Sequence, residues 1–575
     1  MWLVSRIVGI DLGTSTSEIA ILKDGKPYVI PNHMGEYITP SVIGVSDDGR
    51  IIVGNEAREQ LLLKPEDTVM EVKRLMGSNT LITMAGKQYT PQEISAFLLK
   101  YLVDCASSHL DEAIDRAVIT VPAYFSDEQR RATVEAGKLA GLKVERIINE
   151  PTAASLDYGI EHMEECRNVL IYDLGGGTLD VTVLEMFEGV LEVKASSGNN
   201  RLGGKDFDNL LMDYLIERFS LRYSVDVSDD ARAMMRLKDA AEKCKIALSG
   251  YGEFQISLPF FADAGGVPVS LEEAMTRELF ENLIKDKIDS TGKQIRDALG
   301  DAGLKESDVD LVLLVGGSTR IPYVRKFIEN IMGKEPMSLV DPDLAVVRGA
   351  AVQAGILNEE LSSEKDIMIT DVCPYTLGIA VLDYIGGFPV PDVYDVIIPR
   401  NVTIPVVREK IYGTVQDNQK VVEISVYQGE YKKASLNNLL GEFKLEGIPA
   451  APAFKEKIKV SFSYDVNGIL QTEGVIVSTG EKAVITVETT GVKMEEEVDL
   501  EKWKDIPNAR KYRAIINKAQ KILENQQAGV FEMEIDDLAR DLKKGLIKGW
   551  DAKRLDELRD DLQETINDAT EEEDA

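Results

Sequence analysis

Two glycine-rich turns flanked by aspartates carry the most specific chemistry in the sequence. In Asp173-Leu174-Gly175-Gly176-Gly177-Thr178-Leu179-Asp180, the apolar run Val169-Leu170-Ile171-Tyr172 leads in and the β-prone pair Val181-Thr182 leads out. The pattern predicts a hairpin whose tip exposes backbone N–H groups where a side chain would be in the way. Bare amides cradle phosphate oxygens, and carboxylates such as Asp173 and Asp180 hold an accompanying metal through its waters. The device recurs near the N-terminus as Ile10-Asp11-Leu12-Gly13-Thr14-Ser15-Thr16, and in fainter form as Val315-Gly316-Gly317-Ser318-Thr319-Arg320. Either aspartate alone would more often be a turn residue. A matched pair of such hairpins points instead to a nucleotide phosphate held with a metal. No Gly-x-x-x-x-Gly-Lys-Ser/Thr occurs, so the phosphate site is not a P-loop.

The elements that must position these residues alternate. Ile7–Leu22 reads as strand, glycine turn and strand. Val72-Lys73-Arg74-Leu75 reads as a short helix or loop. Thr90-Pro91-Gln92-Glu93 opens a helix with a capping box, and Ile94, Phe97, Leu98, Tyr101 and Leu102 form its apolar face. Arg116–Val121 is a buried strand stopped by Pro122, and Ser126 starts another helix. The central hairpin is followed by one long helical region over 206–249, by the buried strand Leu311–Val315, and by a helix after Ile321. Apolar strands alternating with helices in two similar halves make this an α/β region. Past residue 366 the period changes to two: Val422, Ile424 and Val426 share one face, as do Ile458, Val460, Phe462 and Tyr464, with a turn at Asp465–Gly468. From about 493 the pattern is helical, with Pro507 in a first turn. Tyr512, Ile515, Ile516, Ala519, Ile522 and Leu523 give one stripe; Leu555, Leu558, Leu562 and Ile566 give another. The acidic end Glu571–Ala575 is expected to be a disordered charged tail.

Composition bounds the function. The 575 residues allow three or four domains on a prior of about 150 residues each. A net charge of −33 excludes a nucleic-acid backbone or an anionic membrane surface as a partner, and its bland reading is solubility. The four cysteines Cys105, Cys166, Cys244 and Cys373 lack paired spacing, which suits a reducing, cytoplasmic setting. Only His33, His109 and His162 are present, so a histidine triad or zinc site is not expected. The first residues do not read as a signal peptide, and no apolar run reaches the roughly 18 residues that span a membrane.

Six stretches, in order, resemble the DnaK-type 70-kDa heat-shock chaperone family. They are Gly9-Ile10-Asp11-Leu12-Gly13-Thr14, Val121-Pro122-Ala123-Tyr124-Phe125, Ile148-Asn149-Glu150-Pro151-Thr152-Ala153-Ala154, Asp173–Thr178, Val315–Arg320 and Gln428-Gly429-Glu430. The resemblance implies a multidomain fold: an actin-like, two-lobed α/β ATPase domain over 1–365, an apolar interdomain linker at 366–371, an antiparallel β-sandwich peptide-binding domain over 372–492, and a short α-helical lid with an acidic tail over 493–575. It implies ATP or ADP and Mg2+ as cofactors, with K+ as a further one. It implies unfolded or extended polypeptides as substrates, and a J-domain co-chaperone and a nucleotide-exchange factor as partners.

Carried over position by position, Asp11 and Asp173 would hold the magnesium through water. Gly13, Thr14, Ser15, Gly175, Gly176 and Gly177 would contact phosphates, with Ser15 where the family more often has threonine. Lys73 would orient the attacking water, Glu150 would sit near metal and water, and Thr178 and Asp180 would complete the γ-phosphate side. A lysine, a metal and hydroxyls are sufficient chemistry for phosphoryl transfer, which needs mainly positioning and charge neutralisation. Glu242, Lys245 and Ser249 fall on one helical face and would meet base and ribose, although an exposed salt-bridged face would look the same. Gly316, Gly317, Ser318, Arg320 and Asp343 would line the other side of the adenosine. Pro122 and Arg130 match a pair implicated in interdomain coupling; a strand-ending proline and a helix-surface arginine are nearly as good a reading. Ile379, Leu382, Tyr412, Val422 and Ile424 match peptide-groove positions, and could equally be core residues.

The sequence departs from the family at three places. Asn199-Asn200-Arg201 stands where Asp-Thr-His is usual, so hydrolysis or coupling could differ. Residues 383–400 carry extra residues, including Phe388-Pro389-Val390-Pro391, which would remodel a rim loop. The helical end is short, and a smaller lid would release peptide faster. Two other classes remain open from sequence: an ATP-binding regulatory or scaffold protein with one dedicated partner, and a small-molecule kinase of the same nucleotide fold.

Overall fold

The computed structural model describes residues 5–162, 165–187, 189–338, 341–361, 367–385, 388–486, 503–504, 506–524, 532–550 and 552–573. Two mixed sheets repeat one arrangement. In the first, Ile7–Leu12 pairs antiparallel with Thr16–Lys23 and parallel with Arg116–Val121, which pairs in turn with Lys143–Asn149. In the second, Arg167–Leu174 pairs antiparallel with Leu179–Phe187 and parallel with Leu311–Val315. Each hairpin therefore ends in a glycine turn beside the C-terminal end of a parallel strand, where open α/β sheets bind ligands. Register sets the acids: Asp173 lies directly opposite Asp180, and Asp11 opposite Glu18.

One hydrophobic core joins the sheets, containing Ile7, Leu22 and Val118 from the first and Val169, Ile171 and Leu313 from the second. The helices Glu150–Gly159 and Ala345–Leu357 meet within it. Their approach is set by Gly349, where an added Cβ would fall 1.6 Å from the Ala153 carbonyl oxygen. Backbone cannot yield as a flexible side chain does, so Gly349→Ala should cost about 3 kcal/mol or more. A urea titration of the full chain should show its first transition at lower denaturant. Gly300→Ala, at a helical position with open space around it, should leave that transition unmoved.

The predicted long helical region is two helices, Gly204–Tyr223 and Ala231–Gly250, separated where Asp230 caps the second. Beyond them, two four-stranded antiparallel sheets face each other. One is ordered Phe388–Ile398, Leu377–Ile385, Val421–Gln428, Asn438–Glu446; the other Val406–Gly413, Lys457–Tyr464, Leu470–Ile476, Lys482–Thr486. Alternate residues such as Ile379, Val426, Phe443, Val460 and Phe462 fill the space between them. The extra residues after 383 lengthen the first hairpin: Asp383, Tyr384 and Ile385 pair with Val390, Pro389 and Phe388.

The C-terminal helices Arg513–Glu524, Glu532–Ile547 and Ala552–Glu573 form a separate core around Trp503, Tyr512, Ile516, Ile535, Leu542, Leu562 and Ile566. The acidic end is helical through Glu573, because it continues a helix anchored by Leu562, Ile566 and Ala569, rather than forming a free tail. The boundaries expected at 365–366 and 492–493 lie outside the described residues.

The apolar segment expected as a linker is a strand. Met368–Val372 pairs parallel with Val190–Asn199 and antiparallel with Thr403–Ile404, so one seven-stranded sheet runs from the second lobe into the root of the sandwich. Ile367 and Ile369 pack against the shared core.

Candidate functional site

The two glycine turns meet tip to tip. A Cβ on Gly176 would lie 2.1 Å from the Ser15 hydroxyl, and one on Gly177 2.8 Å from that of Thr14. Glycine is required at both for this close approach. The third turn joins them: Ser318 donates to the Gly175 carbonyl at 2.8 Å, and a Cβ on Gly316 would meet the Asp173 carboxylate at 2.8 Å. The fourth contribution comes from the end of the stretch that departs from the family pattern at Asn199-Asn200-Arg201. Residues 203–205 lie over the central tip, with Gly204 and Lys205 amides donating to the Gly175 and Gly176 carbonyls.

Beneath the tips sits a buried acidic cluster with one cation. Lys73 is 5% exposed, and its Nζ is paired with the Glu150 carboxylate. The 3-10 turn Val72–Leu75 supplies it, next to Arg74, whose guanidinium donates to Asp206 at 2.6 Å and to the Gly177 carbonyl at 3.2 Å. Asp11 accepts from the Thr120 hydroxyl at 2.7 Å, and Asp180 accepts from the Tyr124 N–H at 3.1 Å. Asp173 Oδ2 and Asp180 Oδ2 are buried without a hydrogen-bond partner. Burial, then the charge of Glu150, pushes Asp11 and Asp173 above the carboxylate range. The same two causes push Asp180 up to about 7.

Orphaned carboxylate oxygens with raised pKa fit a site completed by a cation and its waters. Among the described residues no three His, Cys, Asp or Glu converge closely enough to ligate an ion directly. The sign of the pH effect follows. Between its ordinary 3.8 and about 7, Asp180 holds a proton in the folded, nucleotide-free chain that the unfolded chain has released. Stability of that form should therefore fall as pH rises through this window. A magnesium–nucleotide that needs the carboxylate ionised must expel the proton. Its thermal stabilisation, read as the rise in Tm with Mg·ADP, should be smaller at about pH 6 than at about pH 8. Asp180→Asn should flatten the difference.

A cleft opens beside the glycine tips, lined by Thr14, Ser15, Arg58, Lys205 and Glu242 among others. Glu242 bridges Lys205 at 2.8 Å and Arg58 at 2.7 Å. Against the upward push of burial, Lys205 and Arg58 draw it below the usual glutamate range. Lys245 is buried against Asp208 at 2.8 Å and the Gly204 carbonyl at 3.0 Å, and desolvation lowers its pKa. Gly317, Arg320 and Asp343 come together, with Arg320 2.7 Å from Asp343 and a Gly317 Cβ 2.7 Å from the same carboxylate. Ser249 lies one turn further along and donates to the Lys245 carbonyl at 3.2 Å. Thr178 is buried at the base of the central tip, its carbonyl accepting from Gly175. Gly13 is fixed by the Ser17 and Ser41 hydroxyls.

Around this site the sandwich is docked by polar contacts. Arg130 is 3% exposed, not a surface arginine; it donates to the Asn149 side chain and to the carbonyls of Ala123, Phe125 and Asn467. Asn149 passes the contact on, donating at 2.8 Å to Asp371, which also accepts from Thr152 at 3.0 Å. Leu470 N–H donates to Asp127 at 2.7 Å, Ile147 N–H to Asn467 at 2.9 Å, and Asn438 to Glu128 at 3.3 Å. Pro122 ends its strand and accepts the Phe125 N–H in the turn that carries Tyr124.

The candidate groove residues divide. Ile379 and Ile424 are buried in the sandwich core, with Tyr412 and Val422 partly buried against it. Leu382 is half-buried and faces a bulge in the partner strand, where Pro391 and Asp392 lie between the pairs Val381–Val393 and Asp383–Val390. Asp395, opposite Ile379, was not identified from sequence: it accepts from the Tyr412 hydroxyl at 2.6 Å and from Lys410 at 2.8 Å. Arg540 of the C-terminal helices stacks 4.4 Å over the Tyr431 ring of the sandwich.

Comparison with known proteins identifies the family. The family model described as Hsp70 protein matches residues 7–82 and 78–574. The chain is 45% identical over 569 residues to the chaperone protein DnaK of Thermosipho melanesiensis, covering 98% of this chain and 92% of the relative. It is likewise 45% identical over 570 residues to the chaperone protein DnaK of Thermotoga maritima, covering 98% and 93%.

Proposed function

Because this chain belongs to the Hsp70 family and is an ATP-dependent chaperone and ATPase, we propose that its own residues run the cycle as follows. Residues 1–365 bind and hydrolyse ATP, 366–371 transmit the nucleotide state, 372–492 hold an apolar extended segment of an unfolded chain, and 493–575 cover it. Separate hydrophobic cores for the C-terminal helices and the sandwich support this division.

In the cleft, Gly13, Thr14, Ser15 and Gly175 to Gly177 hold phosphates through backbone amides and hydroxyls. Asp11 and Asp173 would hold magnesium through its waters, and the ion would supply charge neutralisation. Lys73 bears on the γ-phosphate and the attacking water, which Glu150, Thr178 and Asp180 orient. Glu242, Lys245 and Ser249 meet base and ribose from one side, and Gly316, Gly317, Ser318, Arg320 and Asp343 from the other. Positioning and electrostatics suffice for this reaction. K+ is an additional cofactor in this reading. A J-domain co-chaperone and a nucleotide-exchange factor act on the cycle. The setting is cytoplasmic, where free thiols such as the four here stay reduced. No helix of the described residues is long and apolar enough to cross a membrane.

Ile379, Leu382, Tyr412, Val422 and Ile424 line the groove. The observation that carries the coupling is the strand Met368–Val372, joined to the edge of the ATPase sheet, with Asp371 bonded to the residue preceding Glu150. Whatever moves Glu150 and its helix is felt by the linker, and the reverse holds by linkage. Single-turnover ATP hydrolysis by the full chain tests this. An unstructured apolar peptide should accelerate it, and hydrolysis indifferent to peptide would contradict the coupling. Near-full-length identity to DnaK chaperones does not favour the dedicated-partner or small-molecule-kinase readings.

A further inference from the structure

The departure at Asn199-Asn200-Arg201 has a structural counterpart across the domain boundary. Asn200 Nδ2 donates at 2.6 Å to the backbone carbonyl of Tyr124. The same carbonyl accepts at 2.8 Å from the hydroxyl of Tyr375, which follows the linker strand at the root of the sandwich. The rings of Tyr124 and Tyr375 lie 4.3 Å apart between centroids, tilted by 48°. On its other side Tyr124 gives its N–H to Asp180 Oδ1 at 3.1 Å. Asn200 stands next to the acid as well, because its neighbours Gly198 and Asn199 pair with Asp180 and Leu179 in the adjoining strands. The other amide atom of Asn200, Oδ1, is buried without a hydrogen-bond partner. The side chain is thus held by its donor end alone, an arrangement that leaves a buried acceptor unsatisfied and calls for a reason.

We propose that Asn200 and Tyr375 are positioning residues for hydrolysis, jointly holding Tyr124 so that docking of the sandwich is read at Asp180. Tyr124 has two soft backbone torsions. Its carbonyl and ring are fixed by one donor from the phosphate loop and one from the sandwich. With both in place, its N–H is aimed at Asp180 and that carboxylate oxygen is occupied. When the sandwich leaves, Tyr375 withdraws its hydroxyl and ring, Asn200 alone retains the carbonyl, and Asp180 is freed to reorient. The pair therefore restrains Asp180 in the docked form. The inference rests on the coupled cycle proposed above, in which peptide draws the sandwich away and hydrolysis quickens.

Two substitutions conserve shape and remove a donor: Tyr375→Phe keeps the ring contact, and Asn200→Asp keeps the volume but sets a carboxylate against a carbonyl. In single-turnover measurements on the full chain, Tyr375→Phe should raise the peptide-free rate about 5-fold, at the low end of an allosteric coupling. It should leave nucleotide affinity and the peptide-saturated rate at wild-type values, a split that a loss of packing would not give. In the Asn200→Asp background Tyr375→Phe should have no further effect, since both act through one carbonyl. The proposal is overturned by additive effects of the two substitutions, by an equal effect of Tyr375→Phe with and without peptide, or by a rate change explained by nucleotide affinity. If peptide does not stimulate the wild type, the coupled cycle fails. Non-additivity in the peptide-free rate then still decides whether Asn200 and Tyr375 act together on Tyr124.

Discussion

Lys73→Ala should abolish hydrolysis while the chain still binds nucleotide. The side chain is the buried cation paired with Glu150, and its charge opposes the burial and the Glu150 charge that push Asp11, Asp173 and Asp180 upward. Removing one preorganised electrostatic group from a catalytic site costs about 10²–10³ in rate. The single-turnover rate should fall by that factor or more. Binding contacts made by the glycine turns and the Glu242 side of the cleft remain, so a fluorescent ADP analogue should still bind within a few-fold of wild type. Lys73→Arg should not restore activity, because a guanidinium fork is not a substitute for a compact ammonium in a closed site. A Lys73→Ala chain that hydrolyses ATP at wild-type rate would remove Lys73 from the mechanism.

The second large effect is expected at the linker. Asp371 is buried, and its carboxylate accepts from the Asn149 side chain, from Thr152 and from the Val372 N–H. Burial raises its pKa, while the Val372 amide, Arg130, Thr152 and Arg146 oppose that rise, so the docked linker depends on these partners. Asp371→Ala orphans their donors inside the interface. Each hydrogen bond to a charged group is worth about 1.5–3 kcal/mol, and the bonds from Asn149, Thr152 and Val372 are lost together. The combined loss exceeds the roughly 1–3 kcal/mol of a typical allosteric coupling. Peptide stimulation of hydrolysis should therefore disappear in Asp371→Ala, with the peptide-free rate approaching the peptide-saturated rate of the wild type. Asp371→Asn, which keeps an acceptor, should retain part of the stimulation. Full stimulation in Asp371→Ala would place the coupling elsewhere.

How much of this was legible follows from what each residue depends on. The hairpins Ile7–Lys23 and Arg167–Phe187 could be read because glycines between β-prone runs and flanking acids are local signals. The capping box at Thr90 and Glu93 and the two stripes in the C-terminal helices were readable for the same reason. The helix Glu532–Ile547 carries Ile535, Ala539, Leu542 and Leu546 on its buried face at helical spacing, a signal that was present in the sequence and went unread. Lys73 was found by resemblance alone, since nothing local separates a buried lysine from a solvated one. Thr120, Arg58, Lys205 and Asp208 reach the site through strand pairing and helix packing between distant segments, and no spacing could place them there. The linker reads as a short apolar run, while its pairing with Val190–Asn199 depends on an open sheet edge that only the fold provides. Leu382 is a groove candidate by resemblance alone, and the bulge that faces it at Pro391 and Asp392 depends on strand pairing that no local pattern shows. The buried arginine Arg130 was undecidable in sequence because its partners, Asn149 and Asn467, lie on separate segments.

In the proposed cycle the nucleotide in the cleft sets how long peptide stays in the sandwich. The most direct measurement is the release of a fluorescently labelled apolar peptide from the full chain, followed by stopped flow after mixing with Mg·ATP or with Mg·ADP. Release should be faster with Mg·ATP by about 5- to 150-fold, the span of ordinary allosteric coupling. That acceleration should be lost in Asp371→Ala. Equal release rates with the two nucleotides, in a chain that binds both, would contradict it.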